Sequence, residues 1–288
     1  MRTIRMTETI WASLLAMRSR PQGSKGTQAL KGDIPALELY GPIAAADGPF
    51  VLGQVGQSLD GRVATPAGDA RDISGPDGLA HLHRCRALVE AVIVGVGTVK
   101  ADNPRLSVRE VHGPDPVRVV IDCHGELTGE EGLFHDGGAP VILVQSREAW
   151  ARPRGAQLIR LPLTSAGLCP HAILEALSER GLSRILVEGG ARTLSRFIDQ
   201  GLVDRLHVAI APLIIGSGPT GISLPPIEQL ADAQRPAARV FNLGSDILFD
   251  CALKSPANAG LAAGSARRQG QKVEMPHRAA AALAPDIG

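Results

Sequence analysis

Ala91-Val92-Ile93-Val94-Gly95-Val96-Gly97-Thr98 runs directly into Val99-Lys100-Ala101-Asp102-Asn103-Pro104-Arg105-Leu106, with Arg109 just beyond. The apolar half carries no polar residue on either side of a pleat, as expected of a strand covered on both faces. It stops at Gly-x-Gly-Thr, and the lone acid Asp102 follows within one helical turn of Thr98. Backbone amides, a hydroxyl and a carboxylate therefore gather at one strand end. In open α/β sheets, ligands bind outside the carboxyl ends of the strands.

Working outward, short β-rich runs alternate with helical patterns. Candidate strands cover 50–57, 91–96, 117–122, 140–145, 157–161, 184–187, 205–211 and 246–253, and candidate helices cover 76–89, 170–180 and 191–200. This alternation predicts a three-layer αβα fold with a mostly parallel central sheet. The last two strands, separated by a loop over 212–239, read as an antiparallel closing pair. The apolar stretch 206–215 reads as an edge strand open to pairing. Residues 1–46 read as an extension, either a partly disordered leader or a short helix capped by Thr7 and ended by Pro21 and the Gly/Ser/Lys stretch 23–26. Residues 47–254 form the α/β body. The Pro/Ala/Gly-rich segment 255–288 reads as a flexible tail. Both appendages are expected to be dispensable for chemistry.

The 288 residues carry 30 basic and 29 acidic side chains. That balance excludes a general electrostatic affinity for nucleic acid, so an anionic ligand must be met by a few local donors. Aromatic residues make up 3 % of the chain, so the core must be aliphatic. The four cysteines show no paired spacing and the eight histidines no metal-ligand spacing, which predicts neither a disulfide frame nor a metal centre. The apolar runs are too short to span a bilayer, and the N-terminus makes a poor signal peptide, so a cytoplasmic location is expected.

Several residues could carry chemistry. Asp102 alone could be a simple turn cap beside Asn103-Pro104. With Thr98 before it and Leu106 and Arg109 after it, a functional carboxylate is the better reading. Arg86 and Arg109 are candidate clamps for an anionic group, with Arg84 and Arg105 as alternatives in the same stretches. Glu188-Gly189-Gly190 ends the strand 184–187 and opens the helix 191–200, where small residues let a phosphate approach exposed amides. Ser146 and Arg147 end the strand 140–145 and could hold a 2′-phosphate. His81 and His83 read as solvent-facing helix residues. Ser58-Leu59-Asp60-Gly61 reads as a strand closing in a tight turn, with the backbone near Gly56 lining a pocket.

In order and spacing, Ser58-Leu59-Asp60-Gly61-Arg62, Arg86-Ala87-Leu88, Gly95 to Arg109, Val187-Glu188-Gly189-Gly190 and Gly201-Leu202-Val203-Asp204 resemble the reductase half of the bacterial riboflavin-biosynthesis deaminase/reductases. That half is related in fold to dihydrofolate reductase. The resemblance covers roughly residues 50–253. It implies an NADPH-dependent oxidoreductase, forming dimers, that reduces a ribosylaminopyrimidine 5′-phosphate to the ribitylamino compound. It implies Asp102 as the catalytic residue and Arg86, Leu106, Arg109 and Glu188 as substrate contacts. The cofactor would lie against Gly56, Thr98, Asp102, Ser146, Arg147, Gly189, Gly190, Ala191, Arg192 and Thr193.

The chain also departs from that pattern. The paired zinc-deaminase motifs, His-x-Glu followed by Pro-Cys-x-x-Cys, do not occur, and residues 1–46 are too few to hold a deaminase domain. Gln54 stands where a lysine is usual, and Ala70-Arg71-Asp72 replaces a Ser-x-Trp. These departures leave open a related reductase acting on another pterin-, folate- or pyrimidine-like compound. A dinucleotide-binding protein without turnover is the non-enzymatic alternative.

Overall fold

The computed structural model describes residues 1–20 and 33–254. The segment 23–26 and the tail 255–288, with the readings made for them, lie outside the described residues. Among the described residues, twelve strands and six α-helices follow one another. They are β1 (Arg2–Thr3), α1 (Glu8–Arg18), α2 (Ile34–Ala44), β2 (Phe50–Ser58), α3 (Pro76–Leu88), β3 (Ala91–Gly95), α4 (Val96–Asp102), β4 (Val117–Ile121) and β5 (Val141–Ser146). There follow β6 (Ala156–Leu161), the small hairpin β7 (Leu163–Thr164) and β8 (Gly167–Leu168), α5 (Pro170–Ser178), β9 (Arg184–Glu188), α6 (Ala191–Asp199), β10 (Arg205–Ala211), β11 (Ala237–Asn242) and β12 (Ile247–Ala252).

Ten strands form one sheet in the order β1-β11-β12-β10-β2-β9-β3-β4-β5-β6. Every neighbouring pair is parallel except β12, which runs against both β10 and β11. The sheet is thus mostly parallel, with its antiparallel part at the C-terminal end of the chain. Helices cover both faces. On one, Leu14, Leu39, Leu88, Leu52 and Leu186 share a core, and on the other Ile173, Phe197, Ile185 and Val187 do. Alternate residues of β9 feed the two cores, which is why it reads as a continuous apolar run. Among the described residues, no helix is long and apolar enough to cross a membrane.

Three expectations change. Residues 1–20 and 33–46 are not a loose leader: α1 and α2 bury Trp11, Leu14, Leu39, Tyr40 and Ile43, and Arg2 and Thr3 pair with Phe241 and Asn242. Apolar burial on this scale contributes about 1.5–3 kcal/mol per large side chain, so no domain boundary falls at residue 46. The strand β10 is interior, flanked by β12 and β2, because β11 and β12 fold back beside it. Finally, the strand expected over 91–96 ends at Gly95, and Val96–Asp102 is a helix with Asn103 in the left-handed conformation as its C-cap.

Candidate functional site

The residues singled out at strand ends converge. Strands β2, β9 and β3 are adjacent and parallel, and Gln54 faces Glu188 in register. Their carboxyl ends bring together Gly56, Gly95, Thr98 and the Gly189-Gly190 turn. Both glycines of that turn adopt positive φ, 61° and 62°, a conformation that disfavours other residues. A Cβ on Gly190 would lie 2.9 Å from Thr98 Oγ1, and one on Gly95 would lie 2.6 Å from Thr193 Oγ1. The two βα turns therefore interlock hydroxyl against glycine. Gly190 caps α6, so the first amides of that helix, followed by exposed Arg192, face outward beside this seam. Bare backbone at a helix N-terminus with a guanidinium beside it fits the pyrophosphate of a dinucleotide. Gly56 adds a third close approach, since a Cβ there would meet Ser74 Oγ at 2.7 Å.

Asp102 is the last residue of α4 and is exposed. Among the described residues its carboxylate makes no ion pair or hydrogen bond. Desolvation by the surrounding chain raises its pKa, and the Arg71 guanidinium partly offsets the rise. An acid so placed holds a proton more readily than an ordinary surface aspartate.

Arg86 occupies a different position from the one expected of a phosphate clamp. It is 5 % exposed, and its Nε and Nη2 grip the Glu188 carboxylate at 2.8 and 2.5 Å while Nη1 donates to Ser107 O at 2.9 Å. Burial, the largest single influence, lowers the arginine pKa, but the Glu188 charge and its hydrogen bonds, with Asp115 behind them, together raise it and keep the guanidinium charged. A buried bidentate pair of this kind orients Glu188 and one loop carbonyl. Arg109 is half exposed, with only Glu110 at 3.5 Å beside it. Leu106 is also enclosed, 1 % exposed with φ of 57°, and anchors the loop as a core residue.

That loop, residues 103–116, is held at closely spaced points. Arg118 Nη1 donates to Arg105 O, Arg86 to Ser107 O, and Trp11 Nε1 to His112 O at 2.6 Å. Val108 N donates to Asp115 Oδ1, and Arg109 N to His83 Nδ1 at 2.9 Å. Both His81 and His83 are buried, against expectation: His81 lies between Tyr40 of α2 and His207 of β10, and His83 lies against the 103–116 loop, where it meets the Arg109 amide.

Ser146 and Arg147 stand at the end of β5, two strands beyond β3 and so roughly 10 Å across the sheet. They part company there: Ser146 is 1 % exposed, whereas Arg147 is exposed and is fixed through its amide to Leu161 O. At the β2 turn, Asp60 accepts from Ser58 Oγ and from the amides of Ile215 and Gly216. These bonds, Ser58 first, lower its pKa to about 2 and make it a structural clasp.

Comparison with known proteins agrees with this geometry. Residues 49–249 match the family model of the RibD C-terminal domain. The 2,5-diamino-6-ribosylamino-4(3H)-pyrimidinone 5′-phosphate reductase of Methanothermobacter thermautotrophicus is 34 % identical over 216 residues, which cover 72 % of this chain and 99 % of that protein. Riboflavin biosynthesis protein RibD of Aquifex aeolicus is 32 % identical, but the match spans only 57 % of its length. Among solved structures, the riboflavin biosynthesis reductase Rib7 of Saccharomyces cerevisiae superposes with a TM-score of 0.61 at 25 % identity, covering 77 % of this chain and 99 % of that one. A Thermotoga maritima deaminase/reductase gives 0.59 at 30 % identity, with 59 % of its chain covered. By the extent of these matches and the fold they share, the chain belongs to the RibD C-terminal domain family.

Proposed function

We propose that the chain is an NADPH-dependent reductase that converts a ribosylaminopyrimidine 5′-phosphate to its ribitylamino product. The observation that carries this reading is the unpaired, partly desolvated Asp102 carboxylate on the helix that begins at the interlocked glycine turns. NADPH supplies the hydride when bound. The chain's own residues do the rest: Thr98, Gly189, Gly190 and the first turn of α6, with Ala191, Arg192 and Thr193, hold the dinucleotide. Arg147 reads its 2′-phosphate. Glu188, oriented by Arg86, meets the pyrimidine, and Arg109 holds the ribose phosphate. As C1′ of the ring-opened imine is reduced, the nitrogen takes up the proton that Asp102 holds.

The neutral Gln54 favours one second reading, a related reductase for another pyrimidine- or pterin-like compound. Loss of NADPH absorbance with the phosphoribosylamino pyrimidine, and with its dephosphorylated analogue, separates the two. Turnover that requires the phosphorylated pyrimidine supports the proposal, and binding of NADPH without oxidation by either compound overturns it.

A homodimer belongs to the same reading, on a different surface from β10. Ile214, Ile227 and Leu230, exposed at 73, 51 and 77 %, are large apolar side chains on the segment between β10 and β11 that a two-fold contact could cover. Four free cysteines and a nicotinamide cofactor suit the cytoplasm.

A further inference from the structure

One side-chain cluster plays no part in the reaction proposed above. His81 and Cys85, one turn apart on α3, meet His207 of β10 in the interior, and all three are fully enclosed. Cys85 Sγ lies 3.6 Å from His81 Nε2 and 3.8 Å from His207 Nδ1. The donor atoms all fall within 4.8 Å of one another. Ligand bonds of about 2.3 Å to sulfur and 2.0–2.1 Å to nitrogen put the S···N edge of a coordination polyhedron near ~3.6 Å. The observed separations match that edge.

The outer nitrogen of each imidazole meets a polar group. His81 Nδ1 is 2.9 Å from Tyr40 Oη, and His207 Nε2 is 3.4 Å from Asp250 Oδ1. The second contact is too misaligned for a hydrogen bond, so this buried nitrogen has no hydrogen-bond partner among the described residues. Asp250 is fully enclosed and held by Arg205 and Arg239. Metal-bound histidines usually have a hydroxyl, carbonyl or carboxylate on the far nitrogen, which fixes tautomer and ring orientation. The other charged groups acting on the cluster are Arg84, Arg86 and Glu188.

We propose that His81, Cys85 and His207 form a three-coordinate site for a thiophilic closed-shell cation. On binding, the Cys85 thiol loses its proton to solvent, and both imidazoles bind neutral, His81 Nδ1–H facing Tyr40 and His207 Nε2–H facing Asp250. Thiolate ligands select Cu⁺ and Zn²⁺. Cu⁺ with one thiolate makes a neutral centre, which suits a dry interior better than the residual charge left by Zn²⁺. No metal-ligand spacing is evident along the sequence because His207 comes from a distant strand. Only His81 and Cys85, at i and i+4, share a local pattern.

The site is sealed, so the ion enters during folding. The full-length protein is refolded anaerobically with one equivalent of Cu⁺ or, separately, Zn²⁺, then desalted and assayed for metal. The expected result is one ion retained per chain and a raised Tm, with both effects absent in Cys85→Ser. Asp250→Asn should weaken affinity about 10–100-fold, the range for loss of an outer-shell partner. X-ray absorption of the loaded parent protein should show one sulfur and two nitrogen neighbours, a readout independent of any variant. Retention of neither cation, equal retention by Cys85→Ser, or absence of a sulfur neighbour would overturn the site and establish a neutral hydrogen-bonded trio in its place.

Discussion

The ring nitrogen Nδ1 of His83 accepts the backbone N–H of Arg109 at 2.9 Å, tying α3 to the loop that carries the exposed guanidinium. Only an unprotonated nitrogen can accept that bond. Burial first, then the nearby Arg86 and Arg109 charges, pushes the His83 pKa down to about 3 from 6.5. The unfolded chain takes up this proton as pH falls through 6.5, whereas the folded chain refuses it until near 3. Stability is therefore full above pH 6.5 and declines as pH falls toward 3, with a slope of at most about 1.4 kcal/mol per pH unit from this group. Denaturant unfolding between pH 7 and pH 4 should show the decline, and His83→Gln should flatten it. An identical slope in the variant would remove His83 from this account.

Asp102→Asn should retain the fold and bind NADPH, because its carboxylate supports no other residue. Turnover should fall by roughly 10²–10⁴-fold, the usual contribution of a proton-transferring group. A loss of less than ~3-fold in kcat would reduce Asp102 to a helix terminus.

Arg86 and Arg109 should fail in different ways. Arg86→Ala strands the Glu188 carboxylate in a largely enclosed place, and loss of one partner of a buried pair typically costs ~3–5 kcal/mol. Its signature is a lower Tm with all substrates affected alike. Arg109→Ala should leave Tm unchanged, raise KM for the phosphorylated substrate and leave the dephosphorylated analogue nearly untouched. The opposite pattern in either variant would exchange the two roles.

Arg147→Ala should weaken NADPH by ~1.5–3 kcal/mol, the scale of a hydrogen bond to a charged group, and leave NADH almost unchanged. Equal losses for both cofactors, measured by fluorescence titration, would move the 2′-phosphate elsewhere.

Trp11→Ala should be destabilised by roughly 3–5 kcal/mol, as for other large buried aromatic side chains. It also removes the donor to His112 O, so the loop over 103–116 should become more susceptible to proteolysis. Stability close to that of the parent would restore the dispensable leader expected at the outset.

The sheet was legible because its strands are buried on both faces and read as apolar runs such as 141–144 and 185–187. The site was legible wherever glycine or an acid interrupts such a run at its carboxyl end, as at Gly189-Gly190 and Asp102. What escaped depends on contacts distant in sequence. His81 and His83 looked solvated because their partners come from elsewhere in the chain, Tyr40 and His207 for one and the loop amide of Arg109 for the other. Arg86 looked like a ligand donor because its partner Glu188 lies a hundred residues away. The strand β10 looked like an edge because β11 was hidden in what read as loop, its first residues Ala237 and Ala238 offering no alternation.

The pairing of Arg2 and Thr3 with Phe241 and Asn242 also sets an order of events during synthesis. This edge of the sheet cannot close until residue 242 has emerged. At about 5–20 residues per second, the first strand waits on the order of 10–50 s for its partner. Until α3 and the sheet are made, the apolar faces of α1 and α2 can shelter only against each other. Residues 2–18, made well before their partners, are thus among the last to lock, and the nascent chain carries an exposed, chaperone-visible surface until the sheet edge is complete.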